Sequence, residues 1–313
     1  MIAFVFPGQG TQYVGMARDI HDGSGEAKAV FDEASDSLGR DMAHLCFSGP
    51  ESELTLTANA QPAILTASVA ILRALAPAGL APAAVAGLSL GEYSALVAAG
   101  AVSFPDAIRL VRARGTYMQE AVPEGGGTMA AIIGLDEPAV RDLCREALAI
   151  GIVEVANLNS PGQVSVSGHV PAVLKVMSLA KSRGGSAVHL KVSAPFHCSL
   201  MKPAADRLLP HLESVEITRP SIPVYANVTA QPVENPSGIR ELLYRQVYSP
   251  VQWEASIRAM IAAGARAFVE VGPGKTLTSM IRKIDHSVSV FSVQDRASFD
   301  GVMAWKEAAT VGA

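Results

Sequence analysis

The sequence predicts an α/β protein in which a large unit, built on a parallel sheet, carries a smaller inserted subdomain. Two patterns in the sequence support this fold class. The first is an apolar run followed by a glycine-rich turn and a helix at residues 83–99, and the second is a β-α-β-β-α-β succession over residues 128–192. The chain has 313 residues, of which 49% are hydrophobic. That length suffices for one large unit with an insert or for two modest domains.

The chain is organised around the turn Gly87-x-Ser89-x-Gly91, which has the spacing of a nucleophile elbow. A strand over residues 83–86 and a helix over residues 92–99 flank it. A sharp strand-to-helix turn exposes the Ser89 hydroxyl, and the free N–H groups of a helix N-terminus stabilise an oxyanion. The alternative interpretation is a glycine-rich turn with a solvated serine.

Charge and composition argue against several partners. Lys and Arg total 25 and Asp and Glu total 29, so the net charge is −4, and no basic run predicts nucleic-acid binding. The most apolar stretch, residues 74–88, contains Pro77 and Pro82 and is too short for a membrane span. The opening residues 1–6 lack the basic region of a signal sequence. We therefore expect a soluble cytoplasmic protein.

The three cysteines are odd in number and widely spaced: Cys46, Cys144 and Cys198. This pattern fits neither a disulfide framework nor a zinc site, so we predict no bound metal and a reducing compartment.

The first strand is predicted at Ile2 to Phe6, a continuous apolar run that ends in Pro7-Gly8-Gln9-Gly10. The glycines do not form a dinucleotide fingerprint, because its sixth position is Tyr13. We expect this loop to bring the Gln9 backbone N–H to the active site instead.

Three helices are predicted in the next part of the large unit. Two follow apolar periodicity at residues 27–38 and 62–75, the second opened by Gln61 beside Pro62. The third begins at a Ser103-x-x-Asp106 capping signal and ends near residue 121.

On the third helix, Arg114 shares an apolar face with residues 107, 110, 111 and 118, whereas Arg109 and Arg112 fall off that face and are predicted to be solvated. A buried guanidinium needs an anionic partner. Two hypotheses stay open on this pattern: a structural ion pair, or a substrate carboxylate held by both guanidinium nitrogens.

The inserted subdomain is predicted from strands at 128–134, 152–158, 163–168 and 187–192 and helices at 138–149 and 171–183. Their order is that of a ferredoxin-like split unit. We place it at residues 125–192, between two segments of the large unit at 1–124 and 193–313.

The chain re-enters the large unit at Ser193-Ala194-Pro195-Phe196-His197, where His197 is a candidate base. The adjacent Cys198 is not expected to be the nucleophile, because neighbouring loop residues point apart. The remaining prediction comprises strands at 223–227, 267–271 and 288–293, helices at 239–247 and 253–263, and a weakly patterned tail.

Seven separated stretches together resemble the bacterial malonyl-CoA:acyl carrier protein transacylase family. They are Phe6-Pro7-Gly8-Gln9-Gly10, Gly87-Leu88-Ser89-Leu90-Gly91-Glu92, Arg114, Asn157-x-Asn159-Ser160-Pro161-Gly162, Phe196-His197, Gln246-x-x-x-Pro250-Val251 and Glu270-Val271-Gly272-Pro273-Gly274.

The resemblance implies an α/β-hydrolase-like core with a ferredoxin-like insert and a ping-pong transfer of malonyl from CoA to a carrier-protein thiol, for fatty-acid biosynthesis. Ser89 would be the nucleophile and His197 the general acid and base, oriented by a backbone carbonyl near Gln246. The backbone N–H groups of Gln9 and Leu90 would form the oxyanion hole.

Arg114 would bind the malonyl carboxylate, which the resemblance favours over the ion pair. The other substrate-binding residues implied are Gln246, Met118, Phe196, Asn159 and Gln61. A bulky residue at Phe196 resembles malonyl-selective members. The family resemblance implies no cofactor, since the CoA thioester is a substrate and the phosphopantetheine belongs to the carrier protein, and we expect a monomer.

One residue departs from the family pattern, because Leu88 stands where a histidine is usual. Two alternatives stay open: an acyltransferase or acyl hydrolase of a polyketide pathway, and a non-catalytic docking module. For the acidic carrier protein we predict a basic docking surface of Lys181, Arg183, Lys191, Lys202 and Arg207.

Overall fold

The computed structural model describes residues 1–192 and 194–311, the last three of these without their side chains. Strands within these residues form two sheets. In chain order they are β1 (Ile2–Phe6), β2 (Ala84–Gly87), β3 (Gly127–Ile133), β4 (Val153–Ser160), β5 (Gln163–His169), β6 (Ser186–His189), β7 (Val224–Tyr225), β8 (Pro232–Val233), β9 (Ala267–Val271) and β10 (Ser289–Val293).

Helices cover both sheets. In chain order they are α1 (Arg18–Gly23), α2 (Gly25–Leu38), α3 (Met42–Ser48), α4 (Glu51–Leu54), α5 (Thr57–Leu75), α6 (Gly91–Ala98), α7 (Phe104–Glu120), α8 (Glu137–Ala147), α9 (Val170–Ser182), α10 (Lys202–Ser214), α11 (Pro236–Gln246), α12 (Trp253–Ala262), α13 (Thr276–Ile284) and α14 (Arg296–Val311).

The larger sheet has the order β10-β9-β1-β2-β7-β8, and every neighbouring pair is parallel except β7 and β8. Phe6 at the end of β1 is in register with Gly87 at the end of β2. The loop that carries Gln9 and the turn that carries Ser89 therefore leave the sheet side by side at its carboxyl edge, where ligands bind in sheets of this kind.

Side-chain alternation along β1 builds a core on each face of this sheet. Phe4 and Phe6 are fully buried in the cluster that includes α5 and α7, whereas Ala3 and Val5 are fully buried in the cluster that includes α12 and α13. A strand buried on both faces is apolar throughout, which explains the continuous run of residues 2–6.

The smaller sheet is antiparallel, with the order β4-β5-β3-β6. Helices α8 and α9 pack on it in a separate hydrophobic cluster. This confirms the predicted ferredoxin-like succession and the α/β class with a small second unit. The boundaries at 124/125 and 192/193 stay a prediction, and Ser193 lies outside the described residues.

One predicted helix start is wrong. Helix α5 begins at Thr57, so Gln61 and Pro62 lie in its second turn and not at its start. Proline at 62 lacks the N–H that would bond to the Ala58 carbonyl. Arg112 Nη1 donates to that oxygen at 2.7 Å and to Asn59 Oδ1 at 2.5 Å, so the prediction of a solvated Arg112 is also wrong.

Helices α10 and α14 were not predicted, and two strands are shorter than expected. Pro203 and Pro210 interrupt the α10 pattern, although Ala204, Leu208 and Leu212 are buried on one face. Strand β7 covers two residues and β6 ends at His189. Among the described residues, no helix combines the length and apolarity needed to cross a bilayer.

Candidate active site

The turn after β2 forces Ser89 into a left-handed backbone conformation, with φ at 54°. The two glycines are required by close backbone contacts. A Cβ on Gly87 would lie 1.9 Å from the Gly91 carbonyl carbon, and a Cβ on Gly91 would lie 2.0 Å from the Phe6 carbonyl oxygen. A serine held in a strained backbone conformation by close contacts, just before helix α6, has the geometry of a nucleophile elbow.

Asn227, which sequence analysis missed as a site residue, holds this turn from the loop that follows β7. Its Oδ1 accepts from the Ser89 backbone N–H at 2.6 Å, and its Nδ2 donates to the Gly87 carbonyl at 2.6 Å. Its side chain is buried. The only sequence signal is its position at the end of the strand predicted at 223–227.

His197 lies directly against the serine. Its Nε2 is 2.6 Å from Ser89 Oγ, and its Nδ1 is 2.8 Å from the Gln246 carbonyl oxygen. Since a carbonyl only accepts, Nδ1 carries the proton and Nε2 accepts from the serine hydroxyl. Burial, followed by the positive charge of Arg114, lowers the pKa of His197 to about 3. The imidazole is therefore neutral at pH 7 and available as a base.

Arg114 is 1% exposed and reaches the same serine. Its Nη2 donates to Ser89 Oγ at 3.1 Å and to Gln246 Oε1 at 2.9 Å, while Nη1 donates to Gln61 Oε1 at 2.8 Å. Its Nε is buried without a hydrogen-bond partner. Arg114 forms no ion pair with a carboxylate of the described residues, so the structural ion-pair hypothesis lacks a partner there.

The buried environment of Arg114 disfavours the charged form of its side chain. Burial lowers the pKa of Arg114, and electrostatic interactions with Tyr93 and Glu92 oppose this shift. The guanidinium carbon lies 5.6 Å from the Tyr93 ring centroid, within the range of a cation–π contact. Its three acceptors are a hydroxyl and two amide oxygens, all neutral. A carboxylate ligand would supply the missing negative charge.

Gln246 connects these groups. Besides its bonds to His197 and Arg114, its Nε2 donates to the Ser89 carbonyl at 2.9 Å and to Glu92 Oε2 at 2.7 Å. Glu92, also missed as a site residue, is 2% exposed, and burial raises its pKa to about 7.

The predicted oxyanion donors lie beside the elbow. Gln9 and Leu90 are in turns, and neither backbone N–H has an acceptor among the described residues. A Cβ on Gly8 would lie 2.6 Å from the Leu88 carbonyl, so glycine allows the loop of Gln9 to pack against the elbow. The Gln9 side chain donates to Thr57 Oγ1 at 3.1 Å.

A cavity of about 270 Å³ opens onto Ser89 between the two sheets. Its wall includes Gln9, Phe196, His197 and Asn159, and Asn159 Nδ2 donates to Ser165 Oγ at 3.2 Å. Leu88 also lines it, so an apolar side chain stands beside the nucleophile.

Four of the predicted substrate-binding residues do not line this cavity: Gln61, Arg114, Met118 and Gln246. Met118 Sδ accepts from Gln61 Nε2 at 3.8 Å, and both residues support Arg114 from helices α7 and α5. Cys198 is buried, with its pKa raised to about 11 by burial, which agrees with its exclusion as nucleophile. The described residues contain no group of three or more His, Cys, Asp and Glu side chains that could hold a metal.

Comparison with known proteins identifies the family. The acyl transferase domain family matches residues 3–307 of the chain. The malonyl CoA-acyl carrier protein transacylase of Bacillus subtilis is 46% identical over 296 residues, covering 94% of this chain and 93% of that protein. That of Escherichia coli K12 is 48% identical over 295 residues, covering 94% and 96%. The chain belongs to this acyltransferase family.

Solved structures agree with the sequence comparison. The malonyl CoA-acyl carrier protein transacylase of Clostridium perfringens superposes with a TM-score of 0.97 at 42% identity, covering 99% of this chain and 98% of that one. A malonyl-transacylase in complex with a holo type II polyketide acyl carrier protein superposes at 0.94 with 44% identity, covering 97% and 99%. The chain is therefore an acyltransferase, as the resemblance implied.

Proposed function

We propose that this acyltransferase moves a malonyl group from malonyl-CoA to the phosphopantetheine thiol of an acyl carrier protein through an ester on Ser89. The observation that carries the proposal is the contact between Arg114 Nη2 and Ser89 Oγ at 3.1 Å, in a site where Arg114 is 1% exposed. An acyl group on Ser89 with a carboxylate two bonds beyond its carbonyl carbon suits a cation at this distance.

In the first half-reaction, His197 Nε2 takes the Ser89 hydroxyl proton as Oγ attacks the thioester carbonyl carbon. The resulting oxyanion accepts from the backbone N–H groups of Gln9 and Leu90. The C–S bond then breaks, the imidazolium returns the proton to the departing CoA sulfur, and malonyl remains as an ester on Ser89.

The second half-reaction repeats these steps in reverse order. The carrier thiol gives its proton to His197, its sulfur attacks the ester carbonyl, and the same N–H groups hold the oxyanion. The C–O bond breaks and Ser89 Oγ recovers the proton from His197. A neutral imidazole with a fixed tautomer accepts the proton in each half-reaction, because the Gln246 carbonyl keeps Nδ1 protonated and leaves Nε2 free to accept.

The carrier-protein partner is supported by the names of the relatives and by the solved complex of a malonyl-transacylase with a carrier protein. That complex contains a polyketide carrier protein, so a polyketide recipient stays the alternative to fatty-acid synthesis. Our further expectations are a cytoplasmic monomer without bound cofactor or nucleic acid, and these stay predictions.

The predicted basic docking surface stays a prediction, and ion pairing distinguishes its five cations. Three of its five cations pair with acidic side chains: Arg183 with Glu146, Lys202 with Asp206 and Arg207 with Glu120. Lys181 and Lys191 form no ion pair among the described residues. Lys191 is exposed between Leu190 and Val192, both of which line the cavity, so it lies near the mouth. We propose Lys191 as the cation that contacts the carrier protein.

A two-step transfer experiment tests the proposed function. The protein is incubated with radiolabelled malonyl-CoA, freed of nucleotide by gel filtration, and then mixed with holo carrier protein. We expect label to remain on the protein after filtration and to move to the carrier thiol. Release of free malonate in place of carrier labelling would indicate a hydrolase, and absence of label from the filtered protein would contradict the ester mechanism.

A further inference from the structure

Glu92 is a buried carboxylate next to the site, and the proposed reaction steps assign it no task. It lies in the first turn of helix α6, three residues after Ser89, and is 2% exposed. Its Oε2 accepts two hydrogen bonds, from the Asn227 backbone N–H at 3.1 Å and from Gln246 Nε2 at 2.7 Å. A carboxylate in such a position destabilises the fold unless those bonds compensate its burial.

The bond to Gln246 has a consequence for the orientation of that amide. Arg114 can only donate, and the Ser89 carbonyl can only accept. Gln246 therefore turns Oε1 to Arg114 and both Nε2 hydrogens to acceptors, one of them Glu92. The opposite orientation would place an NH₂ group against the guanidinium and an oxygen against two acceptors. Glu92 thus contributes one of three contacts that select a single amide orientation.

The amide orientation in turn decides where the guanidinium lies. Arg114 Nη2 divides its two hydrogens between Gln246 Oε1 and Ser89 Oγ, while Gln61 holds Nη1 on the other side. Gln61 Oε1 and Gln246 Oε1 together fix the guanidinium beside the nucleophile. If the Gln246 amide were free to rotate, the hydrogen bond from Arg114 to Gln246 Oε1 would be lost.

We propose that Glu92 is a positioning residue that locks the Gln246 side-chain amide, and through it Arg114, so that the acyl site prefers acyl groups bearing a carboxylate. Glu92 touches no reacting atom in this account. The inference rests on the proposed function, because it assigns the malonyl carboxylate to Arg114.

The test compares kcat/KM for malonyl-CoA with that for acetyl-CoA in two variants. Glu92→Met removes the acceptor while keeping an unbranched side chain, and we expect the malonyl-to-acetyl ratio to fall about tenfold or more, the effect of a misplaced binding group. In Glu92→Gln the Oε1 can occupy the acceptor position and keep both hydrogen bonds. We expect this variant to retain the ratio within about threefold.

A second buried carboxylate provides the matched control. Glu270 accepts from the Leu277 and Thr278 backbone N–H groups and has no bond to Gln246. Glu270→Met should lower the melting temperature and leave the ratio unchanged. If Glu92→Met does not fold, Glu92→Asp tests the same point, because it withdraws the acceptor by one methylene and should also lower the ratio.

Two results would overturn the inference. One is a lower melting temperature with an unchanged ratio in Glu92→Met or Glu92→Asp, which would make Glu92 a purely structural residue. The other is a ratio in Glu92→Gln as low as in Glu92→Met, which would show that the acceptor oxygen is not what matters. Failure of the proposed function is distinct from both, since the unmodified protein would then form no malonyl ester.

Discussion

The imidazole of His197 is oriented by a peptide carbonyl, since its Nδ1 lies 2.8 Å from the backbone oxygen of Gln246. A carbonyl fixes the tautomer as a carboxylate would, but it brings no negative charge to stabilise an imidazolium. Burial and Arg114 therefore dominate, and the pKa of His197 falls to about 3. The base is neutral in the free protein over the whole physiological range.

The low pKa of His197 predicts the pH dependence of acylation. The profile of kcat/KM reports the free enzyme, and a group with a pKa of about 3 is already deprotonated at pH 5. We expect kcat/KM for malonyl-CoA to be flat between pH 5 and pH 7 in a stopped-flow assay of CoA release. A loss of rate as the pH falls through 6.5, the ordinary pKa of histidine, would contradict this environment.

Removing the Arg114 side chain should affect malonyl-CoA and acetyl-CoA differently. Arg114→Ala deletes a charge-assisted contact in a desolvated site, worth a few kcal/mol, so kcat/KM for malonyl-CoA should fall on the order of a hundredfold. Acetyl-CoA has no carboxylate, and its transfer should be unchanged or improved.

The matched control for Arg114 is Arg109→Ala on the same helix, where Arg109 pairs with Asp106 at the surface. We expect this control to leave both substrates unaffected. An equal loss for malonyl-CoA and acetyl-CoA in a folded Arg114→Ala variant would assign Arg114 a structural role instead.

Lys191 should affect the carrier protein more than malonyl-CoA. Reversing this exposed charge with Lys191→Glu should raise KM for an acidic carrier protein by about threefold or more, and added salt should reduce the difference from the unmodified protein. Lys28→Glu, an exposed lysine on α2, is the control. Equal changes in KM for the carrier and for malonyl-CoA would leave the proposed docking contact unsupported.

Arg112 should contribute to stability and not to catalysis. Arg112→Ala leaves the Ala58 carbonyl without the donor that replaces the missing N–H of Pro62. We expect the free energy of unfolding to fall by about 1 kcal/mol, allowing for the partial exposure of the site, with kcat unchanged. Urea unfolding of Arg112→Ala and Arg109→Ala side by side measures this loss of stability. Identical unfolding midpoints for the two variants would contradict a stabilising role for Arg112.

The features that could be predicted from the sequence are those that depend on residues close together in the chain. The strand, glycine turn and helix around Ser89, the cap at Ser103 and the order of elements in the insert are local patterns, and the structure has them. Arg114 was noticed because a cation on an apolar helical face is a local anomaly.

Features that depend on distant partners were not predictable in this way. Glu92 and Asn227 are 135 residues apart in the chain and look like ordinary polar residues until β2 and β7 pair. Helix α10 contains two prolines, and only its packing against α7 and α11 explains why it forms. Arg112 was expected in solvent because its acceptor lies on another helix.

Intact-protein mass spectrometry followed by peptide mapping tests most directly whether Ser89 carries the malonyl group. After brief exposure to malonyl-CoA, the unmodified protein should gain the mass of one malonyl group on the peptide containing Ser89. Ser89→Ala should remain folded, because the hydroxyl faces the cavity, and should gain none. A malonyl adduct that persists on Ser89→Ala, or that maps to another residue of the unmodified protein, would contradict the account.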